Sequence, residues 1–395
     1  MKRKRNVLIL GTGLAIAFGI VGMPLANGQV NPPKFEVDPY WPKPLPHRWV
    51  TGTIGGVCVD SQDHVFILNR RNLTNNELDA AEQAPPVIEF DPEGNVVNSW
   101  GDPEGLPGLL HGCFVDRENN LWMTGDEGST AQKWTHDGSK LLLQLGKKGV
   151  FDSSDGTTKG KPLNSSHTLF FSSSGMVTDP KSGDIYVADS NGNYRVVVFD
   201  RNGQFLRQWE LERTAEEAAA LSLNIEITAA GLEGFRGQLR QDAAIARAVL
   251  GVRCITMSED GQVYVCDRAG DRAQVFDEMG SFERSIDVNF EQRSQNPRHL
   301  VGGWGTVVAL AFSPDPAQKF VYAANEDDEQ IEIIDRANGK VLSSFGHVGH
   351  QIGEFMHAEC IAVDSKGNIY VGEGGFGEAP GSGHRVQKFK IIGSP

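Results

Sequence analysis

The chain has 395 residues, 39% of them hydrophobic and 22% charged, with a formal net charge of −14 at pH 7. That is ample apolar material for a large core, and it sets aside a disordered chain. A surface this acidic repels phosphate backbones, which argues against nucleic acid and anionic lipid as partners.

The first residues read as an address. Lys2-Arg3-Lys4-Arg5 is a basic start, Val7 to Val21 is nearly continuous apolar sequence, and Ala26-Asn27-Gly28 supplies small residues before Gln29. This pattern predicts a signal peptide over 1–28 and an exported protein, periplasmic or extracellular. An uncleaved anchor is the alternative, because Val7 to Ala26 could just span a bilayer; the Gly and Pro interruptions favour cleavage. Beyond Gln29 no apolar run is long enough to cross a membrane, so no membrane contact is expected once the leader is gone. A short free strand, Lys34-Phe-Glu-Val-Asp38, follows within the segment 29–54.

From Gly55 onward one pattern recurs. Val57-Cys-Val-Asp60 leads to His64-Val-Phe-Ile67, then Val87 to Phe90 and Val96 to Trp100. Cys113-Phe-Val-Asp116 leads to Leu121-Trp-Met123, then Ala131 to Trp134 and Leu141 to Leu145. Met176-Val-Thr-Asp179, Cys254-Ile-Thr-Met257 and Val308 to Phe312 open three further copies, and Ile361-Ala-Val-Asp364 opens the last. Each copy reads as a four-stranded antiparallel sheet that needs neighbours on both faces, which predicts an all-β, six-bladed β-propeller over 55–395. The last copy lacks a fourth strand, and Lys34 to Asp38 is expected to dock there and close the ring.

Two stretches exceed a turn. Phe151 to Ser173 is Gly/Ser-rich and reads as a surface loop. The segment 210–251 reads as a helical insertion between blades 3 and 4, with helix-like runs at Thr214 to Leu221 and Leu239 to Leu250. Five cysteines stand at 58, 113, 254, 266 and 360, an odd number. Cys254 and Cys266 flank a hairpin turn and could pair in an oxidising compartment. The others are expected to behave as small buried apolar residues.

The Asp-x-x-Gly turns and Arg-Val-x-x-Phe third strands of these units resemble the NHL repeat over about Gly55 to Ile392. Propeller ligands gather where first strands begin, and the units place Gly55, His111, Ser174, Arg253, Val308 and Glu359 at that end. His111-Gly-Cys-Phe-Val-Asp116 resembles a blade of the peptidyl-α-hydroxyglycine α-amidating lyases. That resemblance implies zinc held by three histidines from alternate blades, calcium in the channel, two arginines and a tyrosine. Carried over position by position, it places His111 at the first zinc position, Arg253 at the second and Glu359 at the third. Arg70 and Arg268 stand where the lyase arginines do, so they are the implied catalytic residues. The tyrosine falls on Asn191, with Tyr194 three residues on, and a calcium-ligating acid falls on Cys360.

Arg253 is permanently charged and repels a metal ion. One reading therefore pairs Arg253 with Glu359 across the channel, with His111 hydrogen-bonded beside them. The other keeps zinc, or calcium, on His111 and Glu359 with help from His357 or His167. Arg70 and Arg268 could clamp a carboxylate or pair with acids such as Asp126, Glu127, Glu326 and Glu373. The leading functional expectation is an amidating-lyase-like enzyme, metal-assisted, acting on a small carboxylate-bearing molecule or peptide. The alternative is a non-catalytic monomeric propeller that binds a peptide, protein or small ligand on one face. A sugar-lactone hydrolase is a weaker third reading, since its Asn, Asp and Glu channel ligands are not evident.

Overall fold

A computed structural model describes residues 31–127, 129–215, 218, 252–288, 305–375 and 383–392. Residues 1–30, with the signal peptide expected there, and most of the segment 210–251, with its expected helices, lie outside the described residues.

The fold is a β-propeller built from four-stranded antiparallel meanders. The first comprises Ile54–Val59, Val65–Asn69, Val87–Phe90 and Val96–Trp100. The second runs Gly108–Val115, Leu121–Glu127, Thr130–Trp134 and Leu141–Gly146. Ser173–Thr178, Ile185–Asp189, Arg195–Phe199 and Phe205–Glu210 make the third. The second and third touch edge to edge through one residue pair, Ser173 opposite Gly125. Val252–Met257 opens the fourth meander and Ala309–Phe312 the fifth. The last takes Ala358–Val363, Ile369–Glu373 and Val386–Ile392 from the C-terminal end. Its fourth strand is Lys34–Val37, antiparallel to Val386–Ile392 with Lys34 opposite Ile392 and Val37 opposite Phe389. The first strands pack against one another in sequence order, and Ala358–Val363 returns to Ile54–Val59.

Local chemistry explains the hairpins. Asp60 accepts backbone hydrogen bonds from Gln62 and His64, both at 2.8 Å, and Asp364 does the same for Lys366 and Asn368. The carboxylate thus substitutes for backbone acceptors in a tight turn. Gly367 closes the Asp364 turn at φ 86°, a conformation that a side chain would strain.

The core lies between meanders. Ile54, Val65, Ile67 and Phe90 of the first pack with Cys360, Ala362, Tyr370 and Val386 of the last. Val177, Tyr186 and Val198 of the third pack with Ile255, Val263 and Phe276 of the fourth. Every second strand carries a fully buried aromatic ring: Phe66, Trp122, Tyr186, Tyr264, Tyr322 and Tyr370. The polar tips are mostly served. Trp122 Nε1 donates to Asp116 at 2.9 Å, Tyr370 donates to Asp364 at 3.0 Å and Tyr186 donates to the Glu278 carbonyl at 3.2 Å.

Cys254 and Cys266 form a disulfide within the fourth meander, with Cα atoms 4.9 Å apart. Cys58 and Cys113, expected as isolated apolar residues, are also joined, at a Cα separation of 5.4 Å. They lie 55 residues apart in adjacent first strands, so one repeat length brings them side by side. Two such bonds fit an oxidising compartment. Cys360 is free and buried, and burial pushes its thiol well up.

The N-terminal strand brings Trp41 with it. Trp41 is 6% exposed, with ring centroids 5.5 Å from Phe90 and 4.8 Å from Tyr370. Trp41→Ala should cost about 3–5 kcal/mol, the range for emptying a large aromatic site. Urea unfolding of the full chain measures this, with an unchanged midpoint as the contrary outcome.

Candidate functional site

Glu359 is the hub of a buried cluster where the first strands begin. It sits one residue into Ala358–Val363, with its side chain 3% exposed. Arg253, one residue into Val252–Met257, bonds its Oε1. Arg70, just after Val65–Asn69, donates to the same oxygen from Nη2 at 3.2 Å. His111, in Gly108–Val115, reaches it through Nε2 at 3.0 Å. Four different meanders therefore meet at one carboxylate.

Arg70 and His111 are fixed from behind. Arg70 Nε donates to the Leu110 carbonyl at 2.9 Å, and its Nη1 reaches the Gly375 carbonyl at 3.4 Å. The second ring nitrogen of His111, Nδ1, faces the Ser174 carbonyl. Both ring nitrogens thus face oxygen acceptors. Burial alone would raise the Glu359 carboxyl; Arg253, then Arg70 and His111, overturn that and hold it well below the usual carboxylate range.

Beside this hub lies a second one. Arg268, immediately after the strand Val263–Asp267, donates to Glu326 Oε2 at 2.6 Å. His357 Nδ1 donates to Oε1 of the same carboxylate at 3.2 Å. Glu329 accepts the backbone N–H groups of His357 and Ala358 at 2.7 and 3.1 Å. Burial pushes the Glu329 carboxyl up to about 7, with Glu326 adding repulsion, while the bond to Glu326 raises His357. Gly374 links the hubs: its N–H donates to the His357 carbonyl at 2.8 Å, and a side chain at this position would strike Glu359.

The structure therefore unites Arg70, His111, Arg253 and Glu359, and sets Arg268 with Glu326 and His357 next to them. Among the described side chains, Asn191, Tyr194, His167 and Glu373 find partners elsewhere. Asn191 donates to Ser172 at 2.9 Å. Tyr194 is packed into the third meander under Arg213, whose guanidinium lies 4.9 Å from its ring, and burial holds its phenol well above the ordinary value. His167 stacks on Phe205 with centroids 3.8 Å apart, on the outermost strand. Glu373 pairs with Arg385 at 2.7 Å. The side chains of Asp126 and Glu127 lie outside the described residues.

This donor set does not fit zinc or calcium at His111, Glu359 and His357. Two guanidinium groups crowd Glu359 Oε1 and would repel a cation beside it, and both nitrogens of His111 point at acceptors. His357 bonds Glu326 instead of joining Glu359. Glu329 escaped the sequence reading because nothing in its neighbourhood repeats; the Asn325 strand end four residues earlier was the available marker.

The comparisons agree with the architecture. The family model described as NHL repeat matches residues 174–199. Peptidyl-glycine alpha-amidating monooxygenase B of Xenopus laevis is 24% identical over 82% of this chain and 33% of its own length. NHL repeat-containing protein 3 of Mus musculus is 24% identical over 87% of this chain and 83% of its own. The probable peptidyl-alpha-hydroxyglycine alpha-amidating lyase pgal-1 of Caenorhabditis elegans is 23% identical over 48% of this chain and 53% of its own. The chain spans about a third of the length of the amidating monooxygenases that it matches.

Two measurements test the hubs. Arg253→Ala leaves a buried carboxylate short of its main partner and should cost about 3–5 kcal/mol in urea unfolding; a loss below ~1 kcal/mol contradicts the geometry. Glu329 titrates higher folded than unfolded, so the native state holds the extra proton between about pH 4.5 and 7. Stability should therefore fall as pH rises through that window, and Glu329→Gln should flatten the slope whatever its effect on absolute stability.

Proposed function

From an NHL-repeat propeller that resembles the amidating lyases, we propose an exported binding protein whose channel mouth recognises a small carboxylate-bearing molecule or peptide without lyase chemistry. The observation that supports this most is the convergence of Arg70, Arg253 and His111 on one carboxylate. Arg268 and His357 repeat the theme on Glu326. Guanidinium forks and imidazole N–H groups are the donors that read carboxylates. The chain's own glutamates keep those donors aligned, and an entering carboxylate would have to take over bonds that Glu359 and Glu326 now hold.

The lyase alternative rests on His111, Arg70 and Arg268 standing at positions the resemblance assigns to that chemistry. Against it stands the ion pair of Arg253 with Glu359 at the two other zinc positions. An ion pair can tie meanders together across the axis, as a metal would. It supplies no Lewis acid.

Calorimetry with glyoxylate and similar small acids is the direct test. Binding should weaken by about 10- to 150-fold in Arg268→Ala, the loss of one charge-assisted contact worth roughly 1.5–3 kcal/mol. Arg70→Ala should weaken it as much. The double substitution Arg253→His with Glu359→His should create a zinc affinity that His111→Ala then removes. Turnover of a peptidyl-α-hydroxyglycine by the parent would overturn the binding reading in favour of the lyase. Absence of any acid binding would move the function away from the mouth altogether.

A further inference from the structure

The first strands run away from Glu359, and at their far end a different set of side chains gathers. Asp60 and His64 flank the first hairpin turn of the first meander, and Glu89 comes from its third strand. His136 reaches across from the turn between the third and fourth strands of the second meander. One ligand atom from each of Asp60, His64 and Glu89 lies within 4.8 Å of the others.

With His136 the arrangement becomes a closed four-sided ring. His136 Nε2 is 2.9 Å from Asp60 Oδ2 and 4.0 Å from Glu89 Oε1. His64 Nδ1 is 2.6 Å from Glu89 Oε1 and 4.0 Å from Asp60 Oδ2. Ligand atoms around a tetrahedral zinc ion with bonds near 2.1 Å stand about 3.4 Å apart. The four edges bracket that value; the two short hydrogen bonds must open by under an ångström, and His136, which stands outside the three-residue group within 4.8 Å, must swing inward to complete a tetrahedron.

The surroundings are built to aim these atoms. Asp60 Oδ1 is engaged by the backbone N–H groups of Gln62 and His64, which turns Oδ2 toward His136. The Phe66 ring meets His136 edge-on at 5.0 Å and limits its rotation. The two carboxylates are buried, with side chains 0% and 5% exposed, whereas the imidazoles are 25% and 29% exposed and give access from solvent. Two carboxylates and two neutral imidazoles carry the charge that a divalent ion cancels. A mixed N₂O₂ set suits zinc, while calcium and magnesium ask for six or more oxygens.

We propose that Asp60, His64, Glu89 and His136 form a zinc-type cation site that pins the second meander to the first. It lies apart from the channel mouth and does not depend on the function assigned there. The full chain, stripped with chelator, is titrated with zinc alone and separately with cobalt. One equivalent should bind, raise the melting temperature, and give cobalt the strong visible absorption of a four-coordinate ion. His136→Ala should weaken zinc by at least about 100-fold, beyond the loss seen when only supporting residues of a metal site are changed. His64→Ala with His136→Ala should abolish the melting shift, and His111→Ala should leave both intact. No uptake by the parent overturns the site, as does uptake that survives the double substitution or vanishes with His111→Ala. Should the histidine variants fail to fold, the parent's cobalt spectrum decides alone, and an octahedral spectrum counts against the proposal.

Discussion

A four-stranded sheet with apolar side chains on both faces is not soluble by itself. Each meander here presents such faces, so each must be covered on two sides, and the arrangement is complete only when the last meander covers the first. The rest follows from that requirement. Buried aromatic rings such as Tyr186, Tyr264 and Tyr370 stand on second strands, where both neighbours press closest. At the axis the first strands converge too tightly for large side chains to fill the space uniformly, and polar groups facing each other must find partners among themselves. Glu359, Arg253, Arg70 and His111 are the result.

A buried carboxylate in that position is costly unless its charge is answered. Arg253 and Arg70 answer it, and because they arise from different meanders, the electrostatic contact depends on the hydrophobic one. A shift of any neighbouring sheet by an ångström would separate charges that water cannot reach. The mouth is therefore rigid by necessity, and preorganised donors are a consequence of how the ring is held together.

Much of this was readable in the chain. Asp-x-x-Gly turns, alternating apolar runs and a leftover strand at Lys34 identify hairpins and a circular repeat without coordinates. The start-of-strand positions His111, Arg253 and Glu359 follow from counting back from a repeated aspartate, and their meeting follows from the ring. Contacts set by side-chain direction were harder. The resemblance pointed to Tyr194, three residues beyond Asn191, but could not show that its ring lies under Arg213. The Cys58–Cys113 bond needed the lateral packing of two first strands, which the hairpin pattern does not display. The gathering of His64 and His136 joins turns more than 70 residues apart, and neither turn looks special alone.

The pairing of Lys34–Val37 with Val386–Ile392 has a bearing on how the chain reaches this form. The strand Lys34–Val37 can pair only once Val386–Ile392, far along the chain, has been made. Intermediate meanders can form from local hairpins as they are synthesised. The segment carrying Phe35 and Trp41, however, must stay uncommitted until the final strand exists. Loop closure over such a distance is entropically slow, and an apolar edge left waiting invites association with other copies. The pairing thus works as a clasp, and until it fastens the edge of Val386–Ile392 stands uncovered.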